Sequence, residues 1–471
     1  MKPIEIEITA GAGDALAISI DYVKRGAPVI RRWYAKRSVV EAIGCDLDEL
    51  FQESLEAPID DAEAAEARQD IVKRLRSLGL ALFQEIMQAE GDNLRDAMPE
   101  AEADGHIVFK IDKSLAHLPV EVMYDGSRFL SERFAIGRTL YAEAPVPRRD
   151  SERPPPYPML IVGDPSDDPA IREDIEYEID AIKRVYSGRR DFSLKIAVGR
   201  EVDQGFMLRE LPGTAVFHFS GHGVLSDAPD RTGIQLPRGQ VLSGRSLQGL
   251  QNPPSLVFFN MCTAASRLAW KTSLGLAETL LGRGTRSCVA SLWDLKSSSA
   301  TAVAASFHHW LLKGETFGEA LRQARLEAMR RFGIHDLTWA AYTLYGNPAL
   351  KLIPAEGAGA RRARVLRHLA VACGIILLAA LLLFPTETHR EDFQSRHQST
   401  VGYVLVESTP GGARVYIDGD RAGITPFAVE VPIGSHRVAI EKPGYRRWEG
   451  QVEVRETPKA VVQAYLEKLE P

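Results

Sequence analysis

Residues 159–354 alternate short apolar runs with amphipathic stretches. MLIVGD (159–164) is apolar up to its Gly-Asp end, and DPAIREDIEYEIDAIKRVY follows. Asp168 is placed to cap a helix there and Pro169 to take its first position, while Ile171, Ile175, Ile179 and Ile182 recur at helical spacing. SLKIAV, the opening TAVFHF, LVFFN and TRSCVASL are further short apolar runs, with helical stretches such as 273–282 and 297–313 between or after several of them. Strands that alternate with helices predict a parallel sheet covered on both faces, hence an α/β domain over 159–354. Residues 1–143 are mixed. They hold an amphipathic helix over 70–87 and strand-like runs at HIVFKID and RFLSERFAIGRTLY. Between the two regions, APVPRRDSERPPPYP (144–158) is rich in proline and charge and reads as a linker or long surface loop.

Two later segments break this rhythm. LAVACGIILLAALLLF (369–384) carries no charge. It is slightly short for a bilayer, which takes about 20 residues, but Arg367 and His368 extend it by snorkelling. A transmembrane helix is expected over 365–385, followed by a polar linker over 386–401; the competing reading is a buried core helix, which would normally show polar punctuation. Beyond the linker, YVLVE, ARVYID, FAVEV, HRVAIE and QVEVR alternate with period two and are separated by turns such as TPGG, DGDRAG and KPGY. That pattern predicts a small antiparallel β domain over 402–469.

At 471 residues the chain is too long for one core, and its 45% apolar and 25% charged content is that of folded protein. A net charge of -6 gives no ground for nucleic-acid binding. The four cysteines, Cys45, Cys262, Cys288 and Cys373, form no CxxC pair, which speaks against a disulfide scaffold or a zinc site and fits a reducing compartment. MKPIEIEITAGAGD has no apolar h-region, so no cleavable signal peptide is expected.

The candidate chemistry lies at the ends of two apolar runs. VFHFSGHG (216–223) ends in Ser-Gly-His-Gly, and LVFFNMCTA ends with Cys262. In open parallel sheets functional residues gather at the carboxyl ends of strands. If these two strands are neighbours, His222 and Cys262 meet at one sheet edge. An imidazole beside a thiol stabilises the thiolate and later returns a proton to a leaving amine, which is nucleophilic catalysis. Gly221 and Gly223 would let the backbone turn sharply, and the amides of Gly223 and Cys262 would point at one carbonyl oxygen as an oxyanion hole. Taken singly, a histidine after a strand is usually a loop residue and a buried cysteine a small hydrophobe. Cys288 and Cys373 take that plainer reading. His308 and His309 are adjacent on a helix and cannot form a ligand pair.

The order HFSGHG, LVFFNMCTAAS, GLAETLLGRGTRSCVASLWDL, GETFGEALRQAR, WAAYTLYGNP resembles the CHAT family of caspase-like cysteine peptidases, relatives of separase and caspases. IDKSLAHLPVEVMYDGSRFLSERFAIGRTL resembles the part that precedes the catalytic half, so the resemblance covers roughly residues 75–353. It implies a caspase-hemoglobinase fold, an α/β architecture with a mostly parallel sheet flanked by helices, with His222 and Cys262 as the dyad, a protein substrate, no cofactor and no metal. Some members are inactive. In the related separases a Leu-Trp-Asp stretch supplies an acid that holds arginine, so Asp294 of SLWDLKSSS is a candidate for the S1 pocket; the alternative is an acid favoured by a helix N-terminus. ESTPGGARVYIDGDRAGITPFAVEVPIGSHRVAIEKPGYRRW resembles a PEGA domain. Such domains are bacterial and archaeal β modules, usually on the outer side of a membrane and suspected of binding cell-surface material. Tyr445 and Trp448 are placed to stack on a sugar or, more simply, to fill the core.

Together these readings give a membrane-anchored cysteine endopeptidase that cleaves after a basic residue, in regulated proteolysis or defence-linked cell death. Two competitors are a catalytically inactive signalling scaffold with an envelope-sensing β module, and an envelope-anchoring protein whose work is done by that module. Arg361, Arg362, Arg364 and Arg367 crowd the N-terminal flank of the apolar run, against Arg390 and Arg396 on the other. Only Lys and Arg near a span set its orientation, so the expected topology is single-pass in the inner membrane, with the protease cytoplasmic and the β domain periplasmic or extracellular. On intact spheroplasts, a tag after Pro471 should be reachable from outside and a tag before Met1 should not. Both tags on one side would mean that 369–384 does not span.

Overall fold

Apolar strands, the central ones buried on both faces, run through the larger of two units, Met1–Leu352. The computed structural model describes residues 4–24, 27–56, 62–88, 105–140, 155–166, 168–226, 228, 231–262, 269–352, 401–455 and 460–469. The strands of the first unit are β1 Ile4–Ala10, β2 Ala15–Lys24, β3 Ala27–Lys36, β4 His106–Ile111, β5 Ala135–Leu140, β6 Tyr157–Gly163, β7 Phe192–Val198, β8 Val216–Val224, β9 Gly233–Gln235, β10 Val241–Ser243, β11 Leu256–Cys262, β12 Ser287–Ser291 and β13 Tyr342–Gly346. Its long helices are α1 Arg37–Glu56, α2 Ala62–Met87, α3 Pro169–Val185, α4 Ala269–Gly282, α5 Ser297–Leu312 and α6 Phe317–Phe332.

All thirteen strands join one sheet. It runs β7-β6-β8-β11-β12-β13-β5-β4-β1-β2-β3, and β9 and β10 extend it from the far end of β8. The expected mostly parallel sheet is mixed. β7, β6, β8, β11 and β12 run parallel, β13 is antiparallel to β12, and β1-β2-β3 is an antiparallel meander. The strands before and after residues 144–158 share this sheet through β13 and β5, paired at Tyr345 and Arg138.

The alternation read from the sequence recurs here with one local exception. α3 starts as expected: the Asp168 side chain accepts from the Ala170 amide at 2.9 Å, Pro169 takes the first turn, and Ile175, Ile179 and Ile182 are buried. RFLSERFAIGRTLY, by contrast, is not strand throughout. Leu130–Arg133 is a single helical turn and the strand is confined to Ala135–Leu140. The Glu132 carboxylate accepts from the Phe129 amide at 2.8 Å and closes that turn, a local side-chain bond that outweighs the strand propensity of Leu130.

Where β5 meets β13 the sheet buries charge. Glu121 is fully buried and accepts from Arg138, from the Thr343 hydroxyl at 2.8 Å, and lies 3.9 Å from Arg325. Arg138 also donates to the Ala116 carbonyl at 2.8 Å, and Arg325 to the Tyr342 carbonyl at 2.6 Å. Burial pushes the Glu121 carboxyl upward, but the Arg138 and Arg325 guanidiniums outweigh it and hold it below its usual range. Burial lowers Arg325 to about 10.

The second unit, Ile353–Pro471, is built in its described part from β14 Val401–Thr409, β15 Arg414–Ile417, β16 Asp420–Ile424, β17 Phe427–Pro432, β18 Gly434–Glu441, β19 Trp448–Val454 and β20 Ala460–Tyr465. They form two sheets, β17-β14-β20 and β16-β15-β18-β19, around a core that includes Val404, Val406, Val415, Val438, Ile440 and Val454. The β15–β16 connection is Asp418-Gly419, both at positive φ (55° and 95°), the two-residue hairpin turn that this dipeptide favours. Tyr445 and Trp448 pack against the core. The helix expected over 365–385 and the linker over 386–401, up to residue 400, lie outside the described residues; among the described residues no helix is long and apolar enough to cross a membrane.

Removing one partner of a buried ion pair strands the other, at a cost of about 3–5 kcal/mol. Glu121→Gln is therefore expected to lower the urea midpoint of the first unit sharply, and Glu121→Leu with Arg138→Leu to cost less than either single change. Because the folded Glu121 carboxyl titrates below its unfolded value, its contribution is present at neutral pH and fades as pH falls through the carboxylate range. A midpoint unchanged by Glu121→Gln would show that the pair does not hold the two parts of the sheet.

Candidate active site

β8 and β11 are neighbours and parallel. Their register sets His218 opposite Phe258, Ser220 opposite Asn260, and Cys262 opposite His222. Pairing continues through Gly221-His222-Gly223, so the backbone stays extended there where a sharp turn was expected. His222 and Cys262 are thus the last pair of the β8–β11 ladder rather than residues beyond it. Gly221 serves a close approach, since a Cβ there would stand 3.0 Å from the Phe219 ring. Gly223 pairs with Ile234 of β9.

His222 is held from α3. Its Nε2 lies 3.0 Å from Asp168 Oδ2. The same carboxylate caps α3, and the Ala170 amide first, then His222, hold its pKa below the usual range. The tautomer that donates Nε2–H to Asp168 leaves the Nδ1 lone pair free to take a proton. The sequence marked Asp168 only as a cap; its bond to a residue 54 positions later depends on where α3 crosses the sheet.

A cleft of about 70 Å³ opens beside His222, between α3, the strand ends and the start of α5. Asp174 and Glu178 of α3, Ser220, Asn260 and Leu295 contribute to its wall. Glu178 is 3% exposed and fully engaged. Its Oε1 lies 2.8 Å from His218 Nε2, and its Oε2 accepts from Ser220 Oγ at 2.8 Å and Asn260 Nδ2 at 2.7 Å. Tyr342 donates to Asn260 Oδ1 at 2.8 Å. Behind His218, His308 Nε2 is 3.1 Å from His218 Nδ1, and Tyr186 OH is 3.0 Å from His308 Nδ1. Burial, reinforced by His218, pushes the His308 pKa well down, so His308 is neutral. Sequence reasoning missed Glu178 and His218; the available signals were an acid inside the isoleucine stripe of α3 and a histidine inside the apolar run VFHF.

Asp294 is half-buried in the loop from β12 to α5. Trp293 beside it turns to α1, stacking on Phe51 with centroids 3.7 Å apart and donating to Asp48 at 2.7 Å, while Leu295 reaches the cleft wall. Cys288 is buried in β12, and burial pushes its thiol pKa far up, which makes it a packing residue. Among the described residues no group of three His, Cys, Asp or Glu side chains is arranged to hold a metal ion.

A sheet flanked by helices, with a histidine and a cysteine opposite each other toward the carboxyl ends of adjacent parallel strands, defines an α/β protein. Residues 73–347 match the CHAT domain, more than half of the chain, and the protein belongs to the CHAT domain family. Residues 401–470 match the PEGA domain. No curated protein matches the chain. Similar solved structures include two of the Saccharomyces cerevisiae separase–securin complex, at 3.0 and 2.6 Å, with 12% and 13% identity and a TM-score of 0.49 each. In both, the likeness covers 73% of this chain and 30% of the other.

Proposed function

We propose that this protein is a membrane-anchored cysteine endopeptidase in which Cys262 is the nucleophile and His222 the general base and acid. The observation that carries this reading is the register that sets Cys262 opposite His222, with the imidazole tied at Nε2 to Asp168. His222 Nδ1 takes the thiol proton, and the thiolate attacks the scissile carbonyl carbon. The resulting oxyanion is held by the backbone N–H groups of Gly223 and Cys262. The imidazolium, favoured by the Asp168 carboxylate, gives its proton to the leaving amine as the C–N bond breaks. Water, deprotonated by His222, then hydrolyses the thioester and regenerates the thiol. Asp168 acts by fixing the tautomer and orientation of the ring.

In this reading residues 365–385 anchor the chain, the peptidase unit faces the cytoplasm, where its thiol stays reduced, and the PEGA domain meets envelope material on the other side. Asp294 supplies the negative charge for a basic residue before the cut.

Cys262→Ala and His222→Ala should each abolish peptide cleavage with the fold intact, and the double variant should be no worse than either, because the two act as a unit. Cys288→Ala should keep turnover; loss in that variant together with activity in Cys262→Ala would reverse the assignment. For an inactive scaffold, a thiol-reactive peptide probe would label Cys262 no faster than Cys45.

Selectivity gives a separate check. A charge-assisted contact to arginine is worth about 1.5–3 kcal/mol, so Asp294→Ala should cut kcat/KM for Arg- or Lys-containing peptides by roughly tenfold or more and spare small apolar ones. A peptide library in which the wild type prefers apolar or acidic residues would remove Asp294 from the pocket.

A further inference from the structure

The polar cluster around Glu178 lies two rungs below the proposed reacting pair, and the reading above gives it no task. A buried carboxylate in the apolar face of a helix is costly unless each of its oxygens is bonded. Here both are, and the donors come from the two strands that carry His222 and Cys262. Ser220 and Asn260 face each other in the ladder, and a single oxygen of Glu178 accepts from both.

The sheet narrows at this point. β6 pairs with β8 only as far as Ser220, and β12 pairs with β11 only as far as Phe258. The register still joins Asn260 to Ser220 and Cys262 to His222, past the end of the β12 ladder on one side and of the β6 ladder on the other, before β9 takes up β8 at Gly223. At the Ser220–Asn260 rung the ladders to β6 and β12 no longer both flank the two strands, so side-chain bonds help to set how β8 and β11 twist against each other. Catalytic side chains need to be held to within about 0.5 Å, and a displacement of about 1 Å costs on the order of 100-fold in rate.

We propose that Glu178 is a positioning residue that clasps the Ser220–Asn260 rung and thereby fixes the height and twist of His222 relative to Cys262; this rests on the cysteine-peptidase reading. The cluster behind it holds the clasp in place. Tyr342 donates to Asn260 Oδ1 and so turns its Nδ2 toward Glu178. With His308 neutral, one set of tautomers satisfies the chain: Tyr186 donates to His308 Nδ1, His308 Nε2–H to His218 Nδ1, and His218 Nε2–H to Glu178. That chain is reversible. If Gln replaces Glu178, its amide N–H donates to His218 Nε2, both imidazoles switch tautomer, and Tyr186 accepts, while the amide oxygen keeps Ser220 and Asn260.

The test uses the full chain, with kcat and KM on a peptide that the wild type cleaves, the carbamidomethylation rate of Cys262 by iodoacetamide relative to Cys45, and the thermal midpoint. Asn260→Ala and Ser220→Ala each open one arm of the clasp. Each should lower kcat about tenfold and slow Cys262 alkylation, with KM within about twofold. Glu178→Ala should lose more, and Glu178→Gln should recover kcat to within about threefold of wild type by reversing the chain. The proposal is overturned if Asn260→Ala and Ser220→Ala lower the thermal midpoint but leave kcat and alkylation unchanged, since the cluster would then serve stability alone. It is equally overturned if Glu178→Gln is as slow as Glu178→Ala, since the charge and not the clasp would then matter. Should the wild type cleave no faster than Cys262→Ala, the peptidase reading fails by itself, and the Cys262 alkylation rates still decide whether Glu178 sets the thiol's surroundings.

Discussion

The parallel register of β8 on β11 is the constraint on which the rest depends. Side chains alternate along a strand, so a slip of one residue would move His218, Ser220 and His222 together to the opposite face. In the observed register the three lie on the face toward α3 and α5, where Asp168, Glu178 and His308 meet them. The apolar rungs Val216–Leu256 and Phe217–Val257 pin that register from below by burial. Packing low on the strands therefore decides which groups meet at their ends.

The same sheet buries carboxylates in two different ways. Glu121 is met by guanidinium charge, and removal of either partner leaves an uncompensated ion. Glu178 is met by a hydroxyl, an amide and an imidazole, none of which carries a fixed charge. The first arrangement resists change in charge. The second tolerates an isosteric amide, because its neighbours donate or accept according to tautomer. One suits a joint between parts of a sheet, the other a place where side-chain orientation matters more than binding strength.

Much of this was legible from local pattern. The isoleucines of α3, the cap at Asp168 with Pro169, the two apolar strands and the Asp-Gly hairpin follow from spacing, since each is decided by neighbours a few residues away. The His222–Cys262 meeting needed one further assumption, that the strands adjoin. What stayed hidden is long-range. The Asp168–His222 bond, the three donors to Glu178 and the Glu121 pair join residues that only the crossing of helices over strands brings together. The helical turn at Leu130–Arg133 was hidden for the opposite reason, a very local side-chain bond that periodicity does not register. The meander β1-β2-β3 left no signal strong enough to be read from residues 1–143, where the exposed Ile30 and Tyr34 blur the alternation.

The seam between β13 and β5 bears on how the first unit opens. Only one residue pair, Tyr345 with Arg138, bridges the two strands in register, whereas the ladders on either side run five or six residues long. Backbone cohesion across the sheet is weakest there, and side-chain charge makes up the difference. In amide hydrogen exchange such a seam separates cooperative units. β5, β4 and the meander would open as one foldon, and the strands that carry His222 and Cys262 as another. His222 and Cys262 would then stay protected through excursions that expose the first five strands.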